Sequence, residues 1–326
     1  MMTETINRQI LTIANTKKAY FDMAINLARS FIWWHPDSSI QFKIVTDLSE
    51  NLPTDLANII QLQRVLPGEL GTSFSAKLHL DKLADNGQTL FIDSDCLIFG
   101  NLDFLFERFK NHKVSVIGSY IREGEWFGSI KEVCDLFKIP HLPKFNGGIY
   151  YLEKGKAAAD VFSTARTLEK RYDEIGFVRL RNNPNDEVLM ALAMQLHGHT
   201  PIPDDGMAMS DPQACPGGYA IDVIRGNRWL LNPAPPSPKH QDWYPFLKVS
   251  PVIFHFLGYY TQHQPYKREA YRLEMMAKNR LNHFTEAYAV LKFTLPDFFK
   301  NKLKDNLRPL YRFLFGVRKI KPSNRI

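Results

Sequence analysis

The sequence predicts an α/β fold: a mostly parallel sheet flanked by helices, followed by a helical basic tail. Two observations carry this. Over the first ninety or so residues, short apolar runs alternate with segments of helical periodicity, the order that yields parallel strands joined by helices. The runs also end on polar residues, Asn15, Asp47 and Asp93 to Asp95. Sheets of this kind bind ligands beyond the carboxyl ends of their strands.

The elements follow in order. Residues 10–14 read as a strand, 20–32 as a helix, 41–45 as a strand ending at Thr46-Asp47, and 53–57 as a short helix. Residues 59–62 read as a strand and 75–84 as a helix stopped by Asn86-Gly87. Residues 89–92 form a strand that ends at Asp93. Further on, 114–117, 148–152 and 252–255 read as strands, and 157–171 and 187–196 as helices. Residues 201–245 are rich in Pro and Gly; a loop that long is more often functional than filler. Residues 265–292 read as a polar helical region. The expected division is a catalytic domain over 1–268 and a helical extension over 269–326.

Composition narrows the function. Of 326 residues, 44% are hydrophobic, enough for a substantial core. Cys96, Cys134 and Cys215 are odd in number and widely spaced, which fits neither a disulfide framework nor a zinc knuckle. The first nine residues are polar without a signal-peptide core, and no apolar run is long enough to span a bilayer. The expectation is a cytoplasmic protein. The net charge is +7. All of it resides in 293–326, where nine basic residues face two acidic ones; residues 1–292 hold 32 of each sign. A neutral body is a poor nucleic-acid groove, so no nucleic-acid partner is expected.

The chemistry concentrates at Asp93-Ser94-Asp95. Two carboxylates one residue apart at a strand's end can share one hard cation, Mn²⁺ or Mg²⁺, leaving positions for diphosphate oxygens. Such a triplet is also a common solvated turn. Here it interrupts an apolar context, Leu90-Phe-Ile before it and Cys96-Leu-Ile-Phe after it, where unpaired carboxylates are costly.

Several blocks around it resemble the family 8 glycosyltransferases and their GT-A-fold relatives. They are Ser75-Ala-Lys-Leu-His-Leu-Asp-Lys-Leu-Ala84 and Gln88-Thr-Leu-Phe-Ile-Asp-Ser-Asp-Cys-Leu-Ile-Phe-Gly-Asn-Leu-Asp-Phe-Leu-Phe106. Phe145-Asn-Gly-Gly-Ile-Tyr-Tyr-Leu152 follows, then Asn185-Asp-Glu187, then Ile253-Phe-His-Phe-Leu-Gly258 with Pro265-Tyr-Lys267. The resemblance implies a GT-A-like fold and transfer of a sugar from a nucleotide-sugar, a UDP-sugar foremost, to a hydroxyl on a glycan or lipid, with retention of configuration. It places Asp93, Asp95 and His255 on the metal, with Ser94 between the two acids. Asn15 and Tyr20 fall near the nucleoside, Lys77 near the diphosphate or sugar, and Asn146, Gly147 and Gly148 beside the sugar. Lys267, or His263 beside it, closes over the phosphates, and Asp186 and Glu187 are the catalytic pair.

Each residue also has a plainer reading. Asn15 can cap a helix, Tyr20 and His255 can be core residues, and Lys77 can be a solvated helical lysine. Asp186 and Glu187 suit the dipole of a helix start. The chain departs from the family pattern in carrying Glu187 where a glutamine is usual, and in the longer stretch 259–264 before Lys267; a glutamate there could act as a nucleophile, or as a base in an inverting reaction, so retention and inversion both stay open at this point. Two other functions stay open: a nucleotidyltransferase, and a catalytically silent nucleotide-sugar-binding protein at a membrane surface.

In the tail, Phe299, Leu303, Leu307, Tyr311 and Phe315 recur at i, i+4, beside a basic stripe of Lys300, Lys304, Arg308 and Arg312. Pro309 predicts two short helices with a bend. The pattern suits either an anionic membrane surface or an apolar face packed on the body.

Overall fold

The computed structural model describes residues 7–71 and 73–316. Strands β1 (Arg8–Ile13), β2 (Gln41–Thr46), β3 (Gln61–Arg64) and β4 (Gln88–Ile92) run parallel. Helix α1 (Lys18–Trp34) links the first two, and a 3₁₀ segment, Ser73–His79, leads into the short α2 (Leu80–Leu83) before β4. The chain then passes through β5 (Cys96–Ile98), α3 (Asp103–Phe109), β6 (Val114–Ser115), β7 (Ile117–Ile121), α4 (Ile130–Phe137), β8 (Leu142–Phe145) and β9 (Ile149–Glu153). Strand β9 pairs antiparallel with β4 and β6, giving a mixed six-stranded sheet in the order β3-β2-β1-β4-β9-β6.

The sheet is covered on both faces, as its apolar strands require. Leu90 and Ile92 of β4 pack in one core with Phe21, Ala28 and Phe31 of α1. Phe91 points into a second core with Phe162 of α5 (Lys156–Glu169) and Leu189 of α6 (Asp186–Leu196). All five residues of β4 are buried. Their side chains are fixed from both sides, which makes the strand's carboxyl end a rigid place to mount chemistry.

The 201–245 stretch is not a bare loop. It contributes β10 (Ile202–Pro203), β11 (Met209–Ser210) and the hairpin β12 (Gly218–Asp222) and β13 (Asn227–Leu231), to which β14 (Lys248–Val249) adds. The late strand β15 (Ile253–His255) lies between β11 and β5, setting His255 directly opposite Cys96.

Four local expectations change. Residues 54–59 form hydrogen-bonded turns rather than a helix, since so short a helical nucleus is marginal. The 75–84 helix is mostly 3₁₀, and Arg166 binds the Leu78 carbonyl and the Asp81 carboxylate there. Helix α7 (Tyr266–Ala277) spans residue 268 and buries Leu273 and Arg272 against the body, the latter paired with Glu269, Asp222 and Glu286. A division at 268/269 would cut that helix.

The tail is the fourth. Helix α8 (His283–Ala289), one π turn (Val290–Thr294) and α9 (Leu295–Phe315) run on without a break, and Pro309 sits inside α9. Residues 298–316 are all exposed, so the carbonyl that Pro309 leaves without a donor can turn to water. Asp297 anchors the helix start by accepting the Gln264 N–H at 2.7 Å. The side carrying Asp297, Asn301 and Asp305 borders a groove with Tyr219 and Gln264 of the body. At about 100° per residue, Phe299, Leu303 and Leu307 point the other way. They are 62%, 60% and 49% exposed. The apolar stripe therefore does not pack on the body. The last part of the basic tail, 317–326, lies outside the described residues. No helix among the described residues is long and apolar enough to cross a membrane.

Candidate active site

A cavity of about 470 Å³ opens at the carboxyl ends of β1 and β4. It is lined by Asn15, Tyr20, Lys77, Asp93, Ser94, Asp95, Asn146, Gly147, Asp186, Glu187 and His255. Residues spread over 240 positions of sequence thus share one space. Gly148 lies just behind His255. Lys267 does not line the cavity: it falls in the first turn of α7, beyond the 3₁₀ segment Gly258–Gln262 that borders this side.

The Asp93 to Cys96 segment is a tight turn in which the Cys96 N–H donates to the Asp93 carbonyl at 3.0 Å. Gly148, just before β9, holds its front by accepting the Asp93 N–H, and Phe256, just after β15, holds its back by donating its N–H to the Asp95 carbonyl. The side chains are thereby aimed. His255 Nε2 lies 3.1 Å from Asp95 Oδ1 and 3.7 Å from Asp93 Oδ2. Burial alone would lower the imidazole pKa, but Asp95, then Asp93, outweigh it and raise it to about 9. Burial also raises the Asp93 pKa, against the pull of Lys77 and His255.

Two acidic side chains and a buried imidazole are a donor set suited to a divalent cation. Asp95, Cys96 and His255 each bring a ligand atom within 4.8 Å of the others. Cys96 is the weakest of the three. Burial pushes its thiol pKa well above the usual range, and a neutral thiol is a poor partner for a hard ion.

Lys77 lines the cavity as a paired side chain. Its Nζ donates to Asp93 Oδ2 and to the Gly147 carbonyl, both at 2.8 Å, and stands 3.5 Å from Asp186 Oδ2. It also lies over the rings of Phe91 and Tyr150. Burial disfavours the ammonium, yet Asp186 and Asp93 hold its pKa above the usual lysine value. Lys77 is a buried strut between two carboxylates rather than a solvated lysine. A buried charge so paired is costly to strip of its partners, of order 3–5 kcal/mol.

Helix α6 supplies the opposite wall. Asn185 caps it by accepting the Glu187 N–H at 2.9 Å. Asp186 accepts the Tyr150 hydroxyl at 2.5 Å, and Glu187 Oε1 accepts the Gly147 N–H at 2.7 Å. Burial, then Asp186, raise the Glu187 pKa to about 7, although the Gly147 N–H pulls it down.

The Gly-Gly pair makes space for these side chains. A Cβ on Gly147 would come within 2.9 Å of Glu187 Cγ, and one on Gly148 within 2.8 Å of His255 Nδ1. Neither contact can be relieved cheaply, because both neighbours are themselves fixed.

The nucleoside-side residues also resolve. Asn15 is no helix cap, since that position belongs to Lys17. Its Oδ1 is buried without a hydrogen-bond partner while the residue lines the cavity, so a donor on a ligand would complete it. Four non-glycine cavity residues, Thr16, Ser73, Phe127 and Arg181, have left-handed backbone at φ 68°, 54°, 50° and 52°. Such residues cost free energy and cluster at functional sites. Phe127, Leu180, Arg181 and Gln213 had no signal in the sequence, nor did the buried Asp211 described below.

Solved structures of low sequence identity share this fold. No family model matches the sequence, and no curated protein does. Among solved structures, the galactosyltransferase LgtC, in complex with donor and acceptor sugar analogues, superposes with a TM-score of 0.54 at 16% identity, over 83% of this chain and 95% of that one. The fold is GT-A-like. An active-site glutamine-to-glutamate mutant of LgtC gives a TM-score of 0.52 at 14% identity, with the same two coverages. The bifunctional glycosyltransferase WbbM gives 0.50 at 13% identity, over 86% of this chain and 52% of its own.

Proposed function

We propose that the protein is a metal-dependent glycosyltransferase that moves a sugar from a UDP-sugar to a hydroxyl of a glycan or lipid acceptor, with retention of configuration. The observation that carries this reading is that Asp95 and Asp93 both lie within 4 Å of His255 Nε2, in a single cavity of a GT-A-like fold that Asp186 and Glu187 also line. Asp95 and His255, with Asp93, would hold Mn²⁺ or Mg²⁺, which supplies positive charge to the diphosphate leaving group. Asn15 and Tyr20 line the part of the cavity next to the first strand and would bind the nucleoside. Lys77 keeps Asp93 and Asp186 in place as the donor arrives. Glu187, held by Gly147, would orient the sugar. With a pKa near 7 it offers a hydrogen-bond donor in its protonated form and an acceptor when ionised.

The test is UDP release from a panel of UDP-sugars with and without Mn²⁺. Release that needs the metal and fails in Asp95→Ala supports the reading; metal-independent release, or full activity in the variant, rejects it. A nucleotidyltransferase would instead form the nucleotide-sugar from a sugar phosphate and a nucleoside triphosphate. A silent binding protein would bind UDP-sugar and release nothing.

The acceptor is proposed to lie at an anionic membrane on the cytoplasmic side, with segment 293–326 resting on that surface. Support comes from the exposed apolar stripe of α9 and its flanking Lys300, Lys304, Arg308 and Arg312, since an interfacial helix needs both. Each basic residue near such a surface contributes about 1 kcal/mol.

A further inference from the structure

Behind the candidate metal ligands lies a short relay that ends in a buried carboxylate. His255 Nδ1 is 3.0 Å from Asn146 Oδ1. The same oxygen accepts the Gly148 N–H at 3.0 Å. On its other side, Asn146 Nδ2 donates to Asp211 Oδ2 at 3.4 Å. Asp211 is only 6% exposed, and its Oδ1 accepts the N–H groups of Gln213 and Ala214 at 2.8 and 3.0 Å.

The polarity of this relay is determined. The Gly148 N–H can only donate, so the amide oxygen of Asn146 must face it. A carboxylate can only accept, so the amide nitrogen must face Asp211. Both neighbours demand the same orientation of Asn146. His255 Nδ1 then meets an acceptor and carries a proton, which leaves Nε2 as the nitrogen directed at Asp95. Which ring nitrogen is free to bind a cation is set by the hydrogen bond that the other one makes.

We infer that Asp211 is a positioning residue: acting through Asn146, it fixes the imidazole of His255 so that Nε2 faces the cation held with Asp95. The inference rests on the metal role proposed above for His255. Asp211 is not among the residues that line the cavity, and lies in a stretch that the sequence marks only as rich in Pro and Gly.

The test reverses the polarity and then restores it. In Asp211→Asn the side-chain oxygen still accepts the Gln213 and Ala214 N–H groups, so the local turn is kept. Its new amide nitrogen now faces Asn146 Nδ2, donor against donor. In the double variant Asn146→Asp/Asp211→Asn, the new amide donates to the new carboxylate, which again accepts from Gly148 and His255. Net charge equals that of the wild type. Two readouts apply to the full chain. One is Mn²⁺ affinity by calorimetry. The other is the slowly exchanging Nδ1–H resonance of His255 in metal-free, ¹⁵N-histidine-labelled protein, assigned by its loss in His255→Ala. The expected result is that Asp211→Asn weakens Mn²⁺ binding by about 10–100-fold and loses the protected Nδ1–H, and that the double variant regains both. Wild-type affinity and an unchanged resonance in Asp211→Asn would overturn the relay, as would a double variant no better than the single one. If the resonance follows this pattern but wild-type protein binds no Mn²⁺, the relay stands and the metal reading falls.

Discussion

The cavity at the end of β4 and the helix α9 both carry charge and aromatic groups, but they use them in opposite ways. In the cavity, Lys77, Asp93, Asp95, Asp186, Glu187 and His255 all find partners within the protein, and little is left over beyond the Asn15 oxygen. In α9, Phe299, Leu303 and Leu307 and their basic neighbours are exposed to solvent. A surface of that kind is rare unless it meets something outside. The contrast separates two tasks. On the proposed reading, the first region would hold groups still for a small ligand, and the second would offer a face to a large one.

The comparison can be broken most forcefully at the proposed metal ligands. Removing a group that holds the cation forfeits several kcal/mol of transition-state stabilisation, so Asp95→Ala should lower Mn²⁺-dependent UDP release on the order of a thousandfold. It should leave liposome binding unchanged. Conversely, deleting 293–326 should abolish sedimentation with phosphatidylglycerol vesicles while preserving Mn²⁺ and UDP binding. If the truncated chain still sediments, α9 is not the contact; if it loses UDP binding, the two regions are not independent.

Smaller effects sharpen the first region. A metal-bound imidazole must be neutral at Nε2, and His255 has a pKa of about 9 without metal. Mn²⁺ affinity at this site should therefore rise about tenfold per pH unit below that value and level off above it. A flat profile from pH 7 to 9 would show that His255 does not ligate.

Glu187 gives a stability signal of the opposite kind. Its folded pKa of about 7 lies above the 4.5 of an unperturbed glutamate. As pH rises from 4.5 to 7, the unfolded chain sheds this proton first, so this group lowers folding stability across that window, by roughly 3 kcal/mol at most. Glu187→Gln should remove that fall. Denaturant melts of both proteins at pH 5 and pH 8 would reveal it as a smaller difference in the variant.

Much of the first region was legible in the sequence. An apolar run that ends in Asp93-Ser94-Asp95 fixes where the carboxylates must be, because a buried strand tolerates them only at its end. His255 was legible through its ordered place after the Asn146 block. What was not legible depends on contacts between distant segments. Lys77 reads as a helical lysine until Asp186, more than a hundred residues on, is folded against it. Gly147 and Gly148 read as room for a sugar, and nothing local shows that their missing Cβ atoms also make room for Glu187 and His255. Asp211 and Tyr150 have no local pattern, since their roles arise only where β9, β11 and α6 meet. In the tail, periodicity marked the apolar and basic stripes correctly. Pro309 misled because an exposed helix can give the freed carbonyl to water.

The most direct measurement is a calorimetric titration of UDP into the wild-type chain and into Asp95→Ala, each with and without Mn²⁺. The account predicts tight UDP binding only by the wild-type chain with Mn²⁺ present. UDP binding of equal strength without the metal, or in the variant, would contradict it.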